Sequence, residues 1–148
     1  MKRFFKRFLL ERRAYAMPFY AIVLSTVALP LLILSVDVTR YFYMRTHLQS
    51  AADAACEAAA QALDLPHFRS TGEGRINLSQ AGGMASREFG ASTVEQGITK
   101  YSPRLTSLSL VSPRTVRCRA AADMIPTFYF GTITASVETV SDMRVSRR

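Results

Sequence analysis

The sequence has few of the residues from which catalytic and metal sites are built. It contains two histidines and two cysteines among 148 residues, and His47 and His67 lie on different predicted elements, far from any carboxylate cluster. No Cys and His residues have zinc-site spacing, and no glycine loop of the phosphate-binding type is present. We therefore predict that the protein is not an enzyme and takes no cofactor, metal or small-molecule substrate.

Charged residues are absent from Ala14 to Val36, a run of 23 positions. A helix needs about 20 apolar residues to cross the hydrocarbon core of a bilayer. The run exceeds the apolar region of a cleaved signal peptide, about 7–15 residues, and has no good small-residue cleavage site. We predict an uncleaved transmembrane helix over residues 14–36, with a kink at Pro30.

Basic residues are concentrated before this run. The segment 1–13 has six of them against one acid, Glu11, and they are Lys2, Arg3, Lys6, Arg7, Arg12 and Arg13. Positive charge stays on the cytoplasmic side, so we predict a basic cytoplasmic tail at 1–13 and an exported C-terminal part. The tail either contacts the membrane surface as a short amphipathic helix or is a disordered segment that only sets the topology. The tail supplies most of the net charge of +8. The remainder is too small and scattered for a nucleic-acid partner.

Helix-forming residues continue beyond the span. After Val36 no glycine or proline occurs until Pro66, and the residues between are mostly good helix formers. We predict that the helix continues outside the bilayer over residues 37–64. Its apolar side chains form one stripe at helical spacing, which includes Tyr41, Leu48, Ala52, Ala55 and Ala59. These small side chains fit close docking of a partner or, alternatively, coverage by the chain's own sheet.

Asp37 ends the uncharged run and lies three residues before Arg40. In one interpretation it marks the head-group boundary and pairs with Arg40. In the other it meets a charge on a partner helix in the membrane plane. We therefore include Asp37 and Arg40, together with the residues of the stripe, in the helix face that is predicted to contact the membrane or a partner.

The remaining residues, 65–148, predict a small extracytoplasmic α+β domain. Residues 65–76 read as a loop, and Asn77 is expected to cap a helix that Gly90 ends. Three strands follow, at 105–111, 115–121 and 132–140, with Leu105 and Leu108 on opposite faces of the first. The predicted fold is therefore a long N-terminal helix packed on a small antiparallel sheet.

Cys56 and Cys118 both fall in the predicted exported part. In an oxidising compartment they would be able to form a disulfide. The alternative is a pair of buried thiols that behave as small apolar side chains.

Two helical segments carry a family resemblance. The sequence from Val36 to Tyr41 and the sequence Leu-Gln-Ser-Ala-Ala-Asp-Ala-Ala at 48–55 resemble the TadE/TadG-like family of Tad (Flp, type IVc) pilus assembly proteins. The strand from Val116, the Ile-Pro-Thr-Phe loop at 125–128 and the strand from Ile133 resemble the family pattern as well, so that the likeness covers about residues 10–140. The resemblance implies a pilin-like α+β fold.

The chain departs from the processed members of this family. Prepilin-type processing needs a glutamate five residues into the mature chain, and cleavage after Ala14 or Ala16 would place Phe19 or Ala21 there. The sequence therefore resembles the N-terminal module of the TadG-like members, which keep their anchor. It is too short for their von Willebrand-type domain and lacks the Asp-x-Ser-x-Ser metal motif.

The resemblance implies a single-pass protein of the bacterial inner membrane with a structural role in Tad/Flp pilus assembly. Its expected partners are the membrane and other pilus assembly proteins or pilins. The alternative function is a membrane-tethered extracytoplasmic binding module or adhesin unrelated to pili.

Overall fold

A long helix dominates the N-terminal half. A computed structural model describes residues 12–127 and 131–144, with side chains from residue 17. Helix α1 (Arg12–Val23) continues through a π-helical turn (Leu24–Ala28) into α2 (Leu29–Ala60). Among the described residues one helix, Met17–Ala60, is long and apolar enough to cross a membrane. The basic tail, apart from the backbone of Arg12 and Arg13, lies outside the described residues.

The π-helical turn explains how the helix continues through Pro30. A proline lacks the backbone donor, and its ring clashes with the carbonyl four residues earlier, here that of Thr26. The wider π-helical turn at Leu24–Ala28 lies directly before Pro30. Such turns are common where one residue disrupts the regular hydrogen bonding of a helix. The Ser25 and Thr26 hydroxyls donate to the Ile22 carbonyl oxygen at 3.1 and 2.6 Å.

A short helix, α3 (Leu65–Thr71), occupies a segment that was predicted to be a loop. The prediction was wrong because three local signals outweigh the short length of the segment. The Asp64 side chain accepts from the His67 N–H at 3.2 Å, Pro66 fits the first turn, and Gly72 ends the helix at a φ of 72°.

Helix α4 (Leu78–Glu95) begins where predicted, with Asn77 accepting from the backbone N–H groups of Ser79 and Gln80. It does not end at Gly90 but continues to Glu95. Glycine inside a helix costs about 1 kcal/mol. The buried face of the helix, which includes Phe89 before the glycine and Ser92 and Thr93 after it, offsets this cost by packing on the core.

The sheet confirms the predicted α+β fold. Strands β1 (Arg104–Ser112), β2 (Thr115–Met124) and β3 (Ile133–Asp142) are antiparallel neighbours in the order β1-β2-β3. The prediction that Leu105 and Leu108 face opposite sides was wrong. A register shift between Leu105 and Ser107 interrupts the alternation, as a β-bulge does, so that Leu105, Leu108 and Leu110 all pack on the core.

The core lies where α2 meets the sheet and α4. Met44, Leu48, Ile76, Ile98 and Met124 are its largest fully enclosed apolar side chains. The rest is mostly alanine, contributed by α2, α4, β2 and β3. Small side chains let the helix backbones and the sheet approach closely, so that this core has little room for added volume.

Candidate functional site

A buried acid joins the long helix to the loop between β2 and β3. Asp37, the first charged residue after the uncharged run, is 6% exposed. Its carboxylate accepts from the Thr127 backbone N–H at 2.8 Å and from the Thr127 hydroxyl at 3.0 Å. Arg40 Nη1 lies 3.4 Å from the same carboxylate and donates to Thr127 Oγ1 at 3.2 Å. We call Asp37, Arg40 and Thr127 the Asp37 cluster.

The contacts of the cluster compensate the burial of its charge. A buried carboxylate is costly unless hydrogen bonds and an opposite charge replace its water. Of the two interpretations of Asp37, the structure shows pairing with Arg40 and adds Thr127, which lies 90 residues away in the sequence. The spacing of three residues on a helix predicts the contact between Asp37 and Arg40. No sequence pattern predicts the contact with Thr127, because that residue lies on a distant loop. The cluster fixes Thr127, in the first part of this loop, at the level where the uncharged run ends.

An apolar hollow of about 490 Å³ lies beside the Asp37 cluster. The helix supplies one wall, and the ends of β2 and β3 with the loop between them supply the other. The predicted face residue Tyr41 lies here, and the exposed lining includes Leu34, Val38, Phe42 and Ile133. Apart from the Asp37 carboxylate and the Tyr41 hydroxyl, the side chains that line the hollow are apolar. Such a surface suits an apolar occupant.

The stripe farther along the helix faces the chain's own domain. The structure buries Leu48, Ala52, Ala55 and Ala59 completely and packs them within the core shared with α4 and the sheet. The alternative of coverage by the chain's own sheet is therefore the one that the structure shows. These four residues therefore have no exposed surface in this structure that a partner could contact.

The two cysteines lie next to each other in this core. Both are buried thiols, and Cys118 pairs across the sheet with Thr139, whose carbonyl oxygen Cys56 contacts. Cys56 Sγ is 3.5 Å from the Val116 carbonyl oxygen and 3.7 Å from that of Thr139. Burial raises the pKa of both thiols, which disfavours the reactive thiolate in the folded protein.

A second open hollow, of about 360 Å³, lies at the opposite end of the sheet. His67, Glu73 and Arg75 contribute to its lining, with the turn between β1 and β2. Within residues 12–127 and 131–144, no group of three or more His, Cys, Asp or Glu side chains is arranged to hold a metal ion.

The apolar helix and the sheet packed on its C-terminal half define an α+β protein, and the described part of the chain contains one helix able to cross a membrane. Residues 15–62 match the model of a family described as putative Flp pilus-assembly TadE/G-like. The match confirms, over the long helix, the resemblance predicted from the sequence, and it supports a role related to pilus assembly. No curated protein and no solved structure gives a significant match to the chain.

Proposed function

We propose that the protein is a membrane-anchored structural component of Tad/Flp-type pilus assembly. In this proposal it crosses the bacterial inner membrane once, with its N-terminus in the cytoplasm and its α+β domain outside. The family match over residues 15–62 carries the proposal. The basic tail before the span supports the orientation.

The burial pattern along the helix supports an anchoring role. The span exposes large apolar side chains such as Phe19, Leu24 and Leu32. On the same continuous helix, Met44 and Leu48 are fully buried in the domain core. In water the exposed apolar side chains would be unfavourable, whereas lipid or an apolar partner helix covers them. The helix thus serves as anchor and core element together, with no linker between the two.

Co-purification tests this function. The full-length protein with a C-terminal tag is expressed together with the pilus components, extracted in mild detergent and analysed by mass spectrometry. We expect pilins, platform proteins or a secretion ATPase to co-purify. An unrelated single-span membrane protein with the same tag is the control. Recovery of the protein alone, or with the same proteins as the control, would contradict the pilus role. It would favour the membrane-tethered binding module, for which the hollow beside His67 is the place to search for a ligand.

We also propose that Cys56 and Cys118 form a disulfide in the exported domain. Two thiols would lose two protons and two electrons to a thiol oxidant of that compartment, before the core closes over them. The position of both thiols in the core, with Cys56 next to the strand residue that pairs with Cys118, supports the pairing. A bridge over this length of chain stabilises by about 4 kcal/mol in the chain-entropy model.

The number of cysteines that react with a maleimide tests whether this disulfide forms. After denaturation without reductant we expect no cysteine to react with a maleimide, and after reduction we expect both to react. The Cys118→Ala variant should show one reactive thiol under both conditions. Two reactive thiols before reduction would show that the pair stays reduced. In that case the folded protein should still react slowly, because both thiols are buried.

A further inference from the structure

The loop between β2 and β3 exposes an apolar side chain beside the Asp37 cluster. Met124 at the end of β2 is buried, whereas Ile125 is 73% exposed. Two residues later, Thr127 is hydrogen-bonded to Asp37. Two residues of extended chain span at most about 7 Å, so that Ile125 lies close to the level of Asp37 along the helix.

That level coincides with the expected edge of a bilayer. The 23 uncharged residues from Ala14 to Val36 form about 35 Å of helix, against a hydrocarbon core of about 30 Å. The edge therefore falls within about one helical turn of Asp37. Leu34 lies below this residue and Val38 and Phe42 lie above it, so that the apolar hollow is continuous with the lipid-facing surface of the span.

The polar groups at this level suit the head-group region. Arg40 belongs to the Asp37 cluster, and its side chain is 40% exposed. A guanidinium at the membrane surface binds phosphate groups well. The hollow beside it has few polar groups among its lining side chains. Such a lining suits a hydrocarbon chain and not a polar ligand.

We infer that residues 125–127, at the start of the β2–β3 loop, form a second membrane contact of this protein. Ile125 inserts among the acyl chains of the leaflet on the domain's side, and one acyl chain occupies the hollow next to Leu34 and Ile133. The Asp37 cluster holds the loop at that depth. The inference rests on the proposed membrane anchor, and it adds a lipid contact that the span alone does not require.

Tryptophan reporters test the contact, because the sequence contains no tryptophan. Three single variants of the full-length protein are reconstituted in phosphatidylcholine vesicles. Ile125→Trp reports on the loop, Leu31→Trp on the span and Val111→Trp on the far end of the domain. Each is measured with lipids brominated near the head-group end of the acyl chain, and separately with acrylamide in the water.

We expect brominated lipid to quench Ile125→Trp strongly, with a blue-shifted emission and little quenching by acrylamide. Leu31→Trp should be quenched by lipid, and Val111→Trp by acrylamide alone. If Leu31→Trp is quenched by lipid while Ile125→Trp responds only to acrylamide, the inference is overturned and the anchor stands. If lipid quenches neither, the anchor itself fails. Protection of Ile125→Trp from both quenchers would place protein, such as a second copy of this chain, on the loop and would equally overturn the inference.

The role of the Asp37 cluster is tested in the same background. Asp37→Ala removes the acceptor for both Thr127 donors, and we expect it to reduce lipid quenching of Ile125→Trp. The matched control, Asp53→Ala, removes an exposed acid from the same helix and should leave the quenching unchanged. Equal quenching in both variants would show that the cluster does not hold the loop in the membrane.

Discussion

Two arginines in the middle of the span are expected to abolish membrane integration. Leu24 and Val27 lie near the centre of the uncharged run and are 65% and 52% exposed. Each arginine at the centre of a membrane helix costs about 2.5–3.5 kcal/mol on the insertion scale. The double variant Leu24→Arg, Val27→Arg therefore loses about 6 kcal/mol. The measurement is the fraction of protein that stays in the membrane pellet after alkaline carbonate extraction.

The matched control adds the same two charges to the domain. Val94 and Val111 are exposed on α4 and β1, so that Val94→Arg with Val111→Arg should leave the carbonate-resistant fraction at the wild-type level. If the Leu24→Arg, Val27→Arg variant stays in the membrane pellet to the same extent as the wild type, the helix does not cross the membrane at these residues. The proposed anchor would then be wrong.

Loss of one core side chain on the long helix should destabilise the domain strongly. Leu48 is fully buried, and replacing a buried leucine by alanine costs about 2–5 kcal/mol, depending on how far the cavity collapses. We expect the Leu48→Ala variant to lose this amount of unfolding free energy, measured by denaturant titration of the protein in detergent micelles.

The same chemical change at an exposed site separates burial from helix propensity. Leu65 begins α3 and is 53% exposed, so that Leu65→Ala should cost less than about 1 kcal/mol. Equal losses in the two variants would contradict the placement of Leu48 in the core. The comparison also tests whether the helix is a structural part of the domain and not only its anchor.

The helix and the strands were predictable because they depend on local patterns. The absence of Gly and Pro between Val36 and Pro66 predicts a continuous helix, and the structure shows helix to Ala60. In β2, Val116 and Cys118 alternate with Arg117 and Arg119, a pattern typical of a strand with one buried face. The structure buries the first two and leaves both arginines on the outer face, where they pair with Glu138.

The errors occurred where tertiary packing or one residue changed a local rule. The register shift after Leu105 brings Leu108 and Leu110 to the same face as Leu105, and alternation alone does not reveal a bulge. Gly90 has the features of a helix end, but burial of the residues around it outweighs its weak propensity. The bond between Asp37 and Thr127 joins residues far apart in the sequence, which a spacing argument does not detect.

The unbroken helix from the span to the core has a geometric consequence for the orientation of the domain. An α-helix turns by about 100° and rises about 1.5 Å per residue. One residue inserted after Val36 would therefore rotate the domain by about 100° around the helix axis relative to the proposed membrane span. Seven inserted residues restore nearly the original azimuth and displace the domain by about 10 Å. The number of residues between Val36 and Met44 thus sets both the direction in which the sheet points and its distance from the proposed span.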